Sequence, residues 1–284
     1  MAGSKHWRRL GMGLATLMGA KPQGFFIPYR HAASLPQAGT LPAYAGIEKA
    51  FTARQDAFQE LTNSFNEFAE DFDKIGENNP PQPRWDQSWF PRLDAAAAYA
   101  LVRKERPNRI VEIGSGHSTR FLARAIADGG LATRLTTIDP EPRAVIAGLD
   151  IDIQRQPLHE TSYEIFERIE PGDFLFVDSS HILMPGSDVD HILNRILPAL
   201  PAGVMVHFHD IFLPFDYPAT WAWRGYNEQQ GLAALLQGGA YEIVFASNYV
   251  MARAPEWLDA TPLANIPLAD GAFENSLWLR KTGK

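Results

Sequence analysis

The sequence predicts an α/β fold: a mostly parallel sheet of seven strands covered on both faces by helices. Three observations carry this reading. From about residue 86 onward, short apolar runs alternate with amphipathic stretches of helical spacing. The runs are almost continuously apolar, as strands buried on both faces must be. RIVEI, RLTTID, DFLFVD and GVMVHFH end abruptly in glycine, acid or histidine, on the side of such a sheet where ligands bind.

Taken in order, LDAAAAYALVRKE reads as a helix, RIVEI as the first strand and STRFLARAIAD as the next helix. RLTTID is strand two and DIDIQRQ strand three; ETSYEIFERI is helical and DFLFVD is strand four. DVDHILNRILPAL is a helix and GVMVHFH strand five, with YEIVFAS and SLWLRK as two late strands. Ahead of these, IEKAFTARQDAFQELTNSFNEFAEDFDKI (47–75) spaces apolar residues at three and four, which predicts one helix. Its stripe of Phe51, Phe58, Phe65, Phe68 and Phe72 reads as a packing face. GENNPPQPRW then breaks the chain. The organisation expected is a helical region over 1–85, serving as cap or interaction segment, and a main domain over 86–284.

Composition narrows the function classes. A formal charge of -7 excludes a dedicated nucleic-acid binder, and the absence of cysteine excludes disulfides, zinc fingers and thiolate chemistry. The start, MAGSKHWRRLGMGLATLMGA, has the basic beginning and short apolar stretch of an export signal, but glycines interrupt it. It falls short of the roughly 20 apolar residues that span a bilayer, and no transmembrane segment is expected. The reading adopted is an amphipathic helix packed on the protein or a partner, with a membrane-surface or export role as the alternative, in a cytoplasmic chain that can form a homo-oligomer through helix 47–75.

Two constellations carry chemistry. The first is VEIGSGHSTRFL: Gly114 and Gly116 permit a tight turn and close backbone approach, followed by a helix with unpaired N–H groups. A dinucleotide site would have a third glycine where Thr119 stands. Glu112 at the strand end repels a pyrophosphate and favours a cation. Asp139, ending strand two, is placed to accept hydrogen bonds from ribose hydroxyls. His117 and Ser118 stand where they would cap the helix.

This pattern resembles the cofactor site of class I S-adenosylmethionine-dependent methyltransferases, which share a Rossmann-like sheet. The resemblance implies that Gly114, Ser115 and Gly116 line the methionine part of S-adenosyl-L-methionine, with Glu112 and His117 near it, and that Asp139 holds the ribose.

The second constellation is FLFVDSSH and VHFHD, which bring Asp178, His181, His209 and Asp210 to the ends of strands four and five. Asp178, His209 and Asp210 form a candidate divalent-cation set, for Mg2+ or Mn2+. His181 is the candidate base that takes a proton from an acceptor, with Asp178 and His209 beside it in the catalytic group. Asp178 can equally bind the cofactor's amino group. His207, inside strand five, reads as a core histidine.

DSSH, GSDV and HFHDIF-PF-YP, with WFPRLDA upstream, resemble a bacterial methyltransferase family over about 85–250. More distantly they resemble the metal-dependent sugar O-methyltransferases of macrolide biosynthesis, where the strand-five pair is two acids. The function expected is methyl transfer to a hydroxyl of a small molecule or sugar. The alternatives are a catalytically silent S-adenosylmethionine-binding protein and a metallohydrolase built on HFHD. Phe212, Phe215, Tyr217, Trp221 and Trp223, in the loop after Asp210, are candidates to wall the acceptor or to pack on the N-terminal region, with Arg224 and Asn227 placed to reach its polar groups.

Overall fold

The computed structural model describes residues 2–76, 78–142 and 144–283. Met1–Gln37 and Ala38–Lys284 are separate compact units. In the first, helix α1 (Ala2–Leu17) ends in a turn where Thr16 Oγ1 accepts from the N–H of Gln23 at 2.9 Å.

The second unit begins with α2 (Ala45–Thr52), α3 (Gln55–Asn63), a 3-10 turn (Ser64–Phe68) and α4 (Ala69–Asp73), where the spacing predicts one helix. The predicted stripe is buried throughout. Phe58 meets Phe245 edge-on at 5.8 Å, and Phe72 meets Trp85 at 5.3 Å. What the spacing does not foresee are the breaks. At the first of them Arg54 leaves the helical path, donates to the Ile243 carbonyl at 2.9 Å and pairs with Glu242 at 2.8 Å. The later part is tied down by Asp71, whose carboxylate pairs with Arg103 at 2.7 Å. The helices of 45–73 therefore pack on the sheet-bearing body, and the compact boundary falls between Gln37 and Ala38.

Then follow α5 (Arg92–Glu105), β1 (Arg109–Ile113), α6 (His117–Asp128), β2 (Arg134–Ile138), β3 (Asp152–Gln154), α7 (Glu164–Glu167) and β4 (Phe174–Val177). After them come α8 (Asp188–His191), leading through a π turn into α9 (Leu197–Ala199), and β5 (Met205–Phe208). The chain ends with α10 (Glu228–Gln237), β6 (Tyr241–Ala246), α11 (Ser247–Arg253) and β7 (Leu277–Lys281). The seven strands form one sheet in the order β3-β2-β1-β4-β5-β7-β6, parallel except for β7, which runs antiparallel to both neighbours.

Register matters more than order. Ile113 stands opposite both Ile138 and Val177, and Val177 opposite Phe208. Gly114, Asp139, Asp178 and His209 are the next residues of four adjacent strands, so they leave the sheet at one level. The strand interiors, such as Val111, Phe176 and Val206, are buried and hold that level fixed.

Candidate active site

The glycine turn is built from beneath. Glu112 is fully buried and accepts hydrogen bonds from Ser118 Oγ and Thr119 Oγ1, each at 2.7 Å. Thr119 Oγ1 also accepts from the N–H of Gly116 at 2.9 Å. The position where a dinucleotide site has glycine thus holds a hydroxyl that laces turn, helix and strand together. Burial pushes the Glu112 carboxyl up to about 8, with Asp178 and Asp139 adding to the effect against the two hydroxyl bonds. Each Glu112 oxygen thus accepts from the first turn of α6, which fixes the carboxylate beneath the glycine turn.

The open side of the turn is different. Gly114 has φ +86°, and a β-carbon there would fall 1.9 Å from the Asp178 carbonyl oxygen. At Gly116 a β-carbon would meet nothing within 4 Å. Ser115 Oγ donates to Asp139 Oδ2 at 2.8 Å, and Asp139 Oδ1 accepts from the N–H of Glu141 at 2.8 Å. Asp139 is therefore aimed while staying half-buried. His117 presents a buried Nδ1 without a hydrogen-bond partner, and burial, with Arg120 and Arg84 nearby, pushes its imidazole down to about 4. It is neutral at pH 7.

The second constellation converges as expected. His181 Nε2 lies 3.4 Å from Asp178 Oδ1 and 3.4 Å from Asp210 Oδ2. His209 Nδ1 lies 3.6 Å from Asp178 Oδ1 and 3.5 Å from Asp210 Oδ1. Two imidazoles and two carboxylates thus alternate in a ring. His181 and Asp210 both hold left-handed backbone, φ +60° and +59°, a strained state for side-chain-bearing residues that collects at functional sites.

Burial alone would lower both imidazoles, but the surrounding carboxylates outweigh it and raise His181 and His209 well above the ordinary range. Burial would raise the Asp178 carboxyl, yet His209 and His181 hold it well below the usual carboxylate range. Asp178 is the most open of the four, its side chain 31% exposed.

Three buried residues that the sequence reading missed hold this ring. Glu228 Oε2, at the start of α10, lies 2.9 Å from His181 Nδ1. Asp94 Oδ2, in α5, lies 3.4 Å from His209 Nε2 and accepts from the N–H of Asn275, while Oδ1 accepts from the N–H of Ser276. Asn275 Nδ2 donates to Asp210 Oδ1 at 3.1 Å. Asp94 belongs to the WFPRLDA stretch, so one signal for it was present. Glu228 belongs to RGYNEQ, a stretch just after the aromatic loop that shares in the family resemblance, whereas Asn275 sits in a stretch with no pattern of its own.

Asp178, His209 and Asp210, the set expected to hold Mg2+ or Mn2+, all belong to this ring, with N···O separations of 3.4–3.6 Å. Among the described residues no group of three or more His, Asp and Glu is arranged to hold a metal ion. His207 is a core residue: fully buried, stacked on Phe176 at 3.6 Å, with Nε2 2.9 Å from Ser276 Oγ. Burial, with His209 nearby, keeps it neutral.

The aromatic loop runs between the segment before α2 and the ring of charges. Its backbone is tied to the segment before α2, where the N–H of Tyr44 donates to the Pro214 carbonyl at 2.8 Å. Its far end reaches the ring of charges, with Tyr226 4.6 Å from the His181 ring. Arg224 lies over Trp221 at 4.1 Å and donates to Tyr226 Oη at 2.9 Å. Asn227 is occupied by the backbone of Leu183, accepting at 2.7 Å and donating at 3.2 Å, which leaves it a positioning role.

Residues 111–211 match the family model described as Methyltransferase domain, a span that includes the glycine turn and the ring of charges. No curated protein matches the chain. Among solved structures, it is similar to a methyltransferase of Podospora anserina bound to S-adenosylhomocysteine, at 14% identity over 91% of this chain and 99% of that one, TM-score 0.39. The O-methyltransferase TomG of Streptomyces achromogenes, from tomaymycin synthesis, is 16% identical over 86% of this chain and all of that one, TM-score 0.40. The branched-chain polyamine synthase of Thermus thermophilus is 17% identical over 77% of this chain, which spans 64% of its length, TM-score 0.41.

Proposed function

We propose that the protein moves a methyl group from S-adenosylmethionine to a hydroxyl oxygen of a small molecule or sugar. One observation supports this above the others: the register of β2, β1, β4 and β5 brings Asp139, the glycine turn, Asp178 and His209 out side by side. A donor site and a proton-handling site share one edge.

The residues fit the cofactor. The space at Gly116 is open, Asp139 is oriented by Ser115, and His117 offers an unpaired buried nitrogen. Gly114, Ser115, Gly116 and His117 would hold the amino-acid part and Asp139 the ribose, with Asp178 alongside. When bound, the cofactor supplies an electrophilic methyl on a sulfonium.

The protein's own contribution is alignment and the proton. Holding two reactants in line can contribute about 7–11 kcal/mol. His181 bridges Asp178 and Asp210 and is itself oriented by Glu228, so its Nε2 faces the acceptor side in a fixed position. With positive charge lodged at the glycine turn, an imidazolium beside it gives up its proton more readily and can then accept one from the hydroxyl. The side chains of Tyr226 and Trp221 wall that space against water.

Calorimetry with S-adenosylhomocysteine, paired with transfer of a labelled methyl to a panel of sugars and phenols, tests the proposal. Asp139→Ala is expected to lose cofactor affinity. Asp178→Ala is expected to keep it and lose transfer. A wild-type protein that does not bind S-adenosylhomocysteine at all would end the proposal.

A further inference from the structure

The first unit differs from the second in charge and in exposed apolar surface. Residues 1–37 carry five basic side chains and no acidic one, whereas the remaining 247 residues carry 21 basic against 33 acidic. Most of the exposed large apolar side chains of the described residues also fall here. On α1, Leu10, Leu14 and Leu17 recur at helical spacing and form one stripe; Leu14 is 50% and Leu17 60% exposed. Arg8 and Arg9 stand away from that stripe on the helical wheel. Beyond the helix, Phe25, Phe26 and Ile27 continue the apolar surface, with Phe26 66% exposed.

We infer that this segment docks on the surface of an anionic lipid bilayer. Its charge is of one sign, and a partner must supply the opposite sign and an apolar interior together. A bilayer does both: the apolar face of such a helix sinks about 5–10 Å into the headgroup boundary while Lys and Arg meet anionic headgroups. The apolar side chains lie on a helix stripe and on an irregular run after it, with no single packing period. A bilayer accepts such a set without shape complementarity, which a folded protein partner requires. No helix among the described residues is long and apolar enough to cross a membrane, so the docking is at the surface.

Flotation of the full chain with phosphatidylcholine vesicles, with and without phosphatidylglycerol, tests this. Binding to the anionic vesicles is expected to exceed that to neutral ones by at least about tenfold and to weaken with salt. Leu14→Glu/Leu17→Glu and Arg8→Glu/Arg9→Glu are each expected to lower it by about tenfold or more, with the melting temperature of the body unchanged. Absence of binding to anionic vesicles, or equal binding by both variants and wild type, would overturn the inference. So would a concentration-dependent dimer in light scattering that only Leu14→Glu/Leu17→Glu abolishes, which would assign the stripe to a second copy of the chain.

Discussion

Gly114 and Asp178 are in backbone contact: a β-carbon on the first would sit 1.9 Å from the carbonyl oxygen of the second. The N–H of Asp178 donates in turn to the Ile113 carbonyl at 2.8 Å. The turn after β1 and the start of the loop after β4 are thus one welded piece. This contact sets the spacing between the donor pocket and the ring of charges.

That welding separates the two glycines. Gly114→Ala meets backbone at an impossible distance and at φ +86°, and is expected to cost at least about 3 kcal/mol in urea unfolding. Gly116→Ala meets open space and is expected to keep most of the stability while lowering S-adenosylhomocysteine affinity about tenfold, since a methyl fills the pocket. Calorimetry on the second variant decides: wild-type affinity there would mean the pocket lies elsewhere.

The parts of the fold legible in the sequence were those whose partners are nearby or whose burial is two-sided. RIVEI, DFLFVD and GVMVHFH read as buried strands because apolar residues dominate their interiors. The Phe51–Phe72 stripe announced its burial, but the breaks at Arg54 and after Asn63 answer to contacts that a local pattern cannot contain, such as Arg54 with Ile243. The same reason hid Asp94 and Glu228. Asp94 acts through Asn275 and Ser276 near the chain's far end, and Glu228 through His181 across a long loop. Spacing showed that Asp178, His181, His209 and Asp210 share one edge, but not that imidazoles and carboxylates alternate there.

Glu112 gives a stability prediction with a definite sign. Its folded-state pKa, about 8, lies above the ordinary carboxyl value of 4.5, so the folded protein binds the extra proton between them. The stability this contributes is present below pH 4.5 and is lost as pH rises through 8. Glu112→Gln removes the ionisation and keeps hydrogen-bonding partners for Ser118 and Thr119. It is expected to be near neutral at pH 5 and stabilising by about 3 kcal/mol at pH 9, read from urea midpoints at the two pH values. A variant less stable than wild type at pH 9 would show that the charged carboxylate is the form the turn prefers.

Asp94 is expected to position His209 through the opposite side of the sheet. Its carboxylate is fully buried and takes N–H bonds from two consecutive residues ahead of β7. Asp94→Ala strands those donors and is expected to cost about 3 kcal/mol. Asp94→Asn keeps one acceptor and costs less, but removes the charge facing His209 Nε2. In that variant the His209 imidazole loses a partner that raises its pKa, so nuclear magnetic resonance of the ring is expected to show its titration moved to lower pH. An unmoved His209 titration would mean that Asp178 and Asp210 alone set its charge.

Glu228 offers the most direct test of His181 as the proton-handling group. Burial lowers the His181 pKa, but Asp178, Glu228 and Asp210 overcome this and raise it well above the ordinary histidine value. A base that is protonated at neutral pH becomes competent only as pH climbs, so kcat/KM for methyl transfer is expected to rise through the alkaline range. Glu228→Gln removes one of the charges that hold the proton while leaving a side chain beside Nδ1. The rising limb is then expected to move toward lower pH, with S-adenosylhomocysteine affinity unchanged, because Glu228 reaches the site only through His181. A purely structural glutamate would lower the rate evenly at every pH. A Glu228→Gln profile parallel to wild type, with the limb in the same place, would therefore remove His181 from the proton path and leave the Asp178 carboxylate as the group that meets the acceptor.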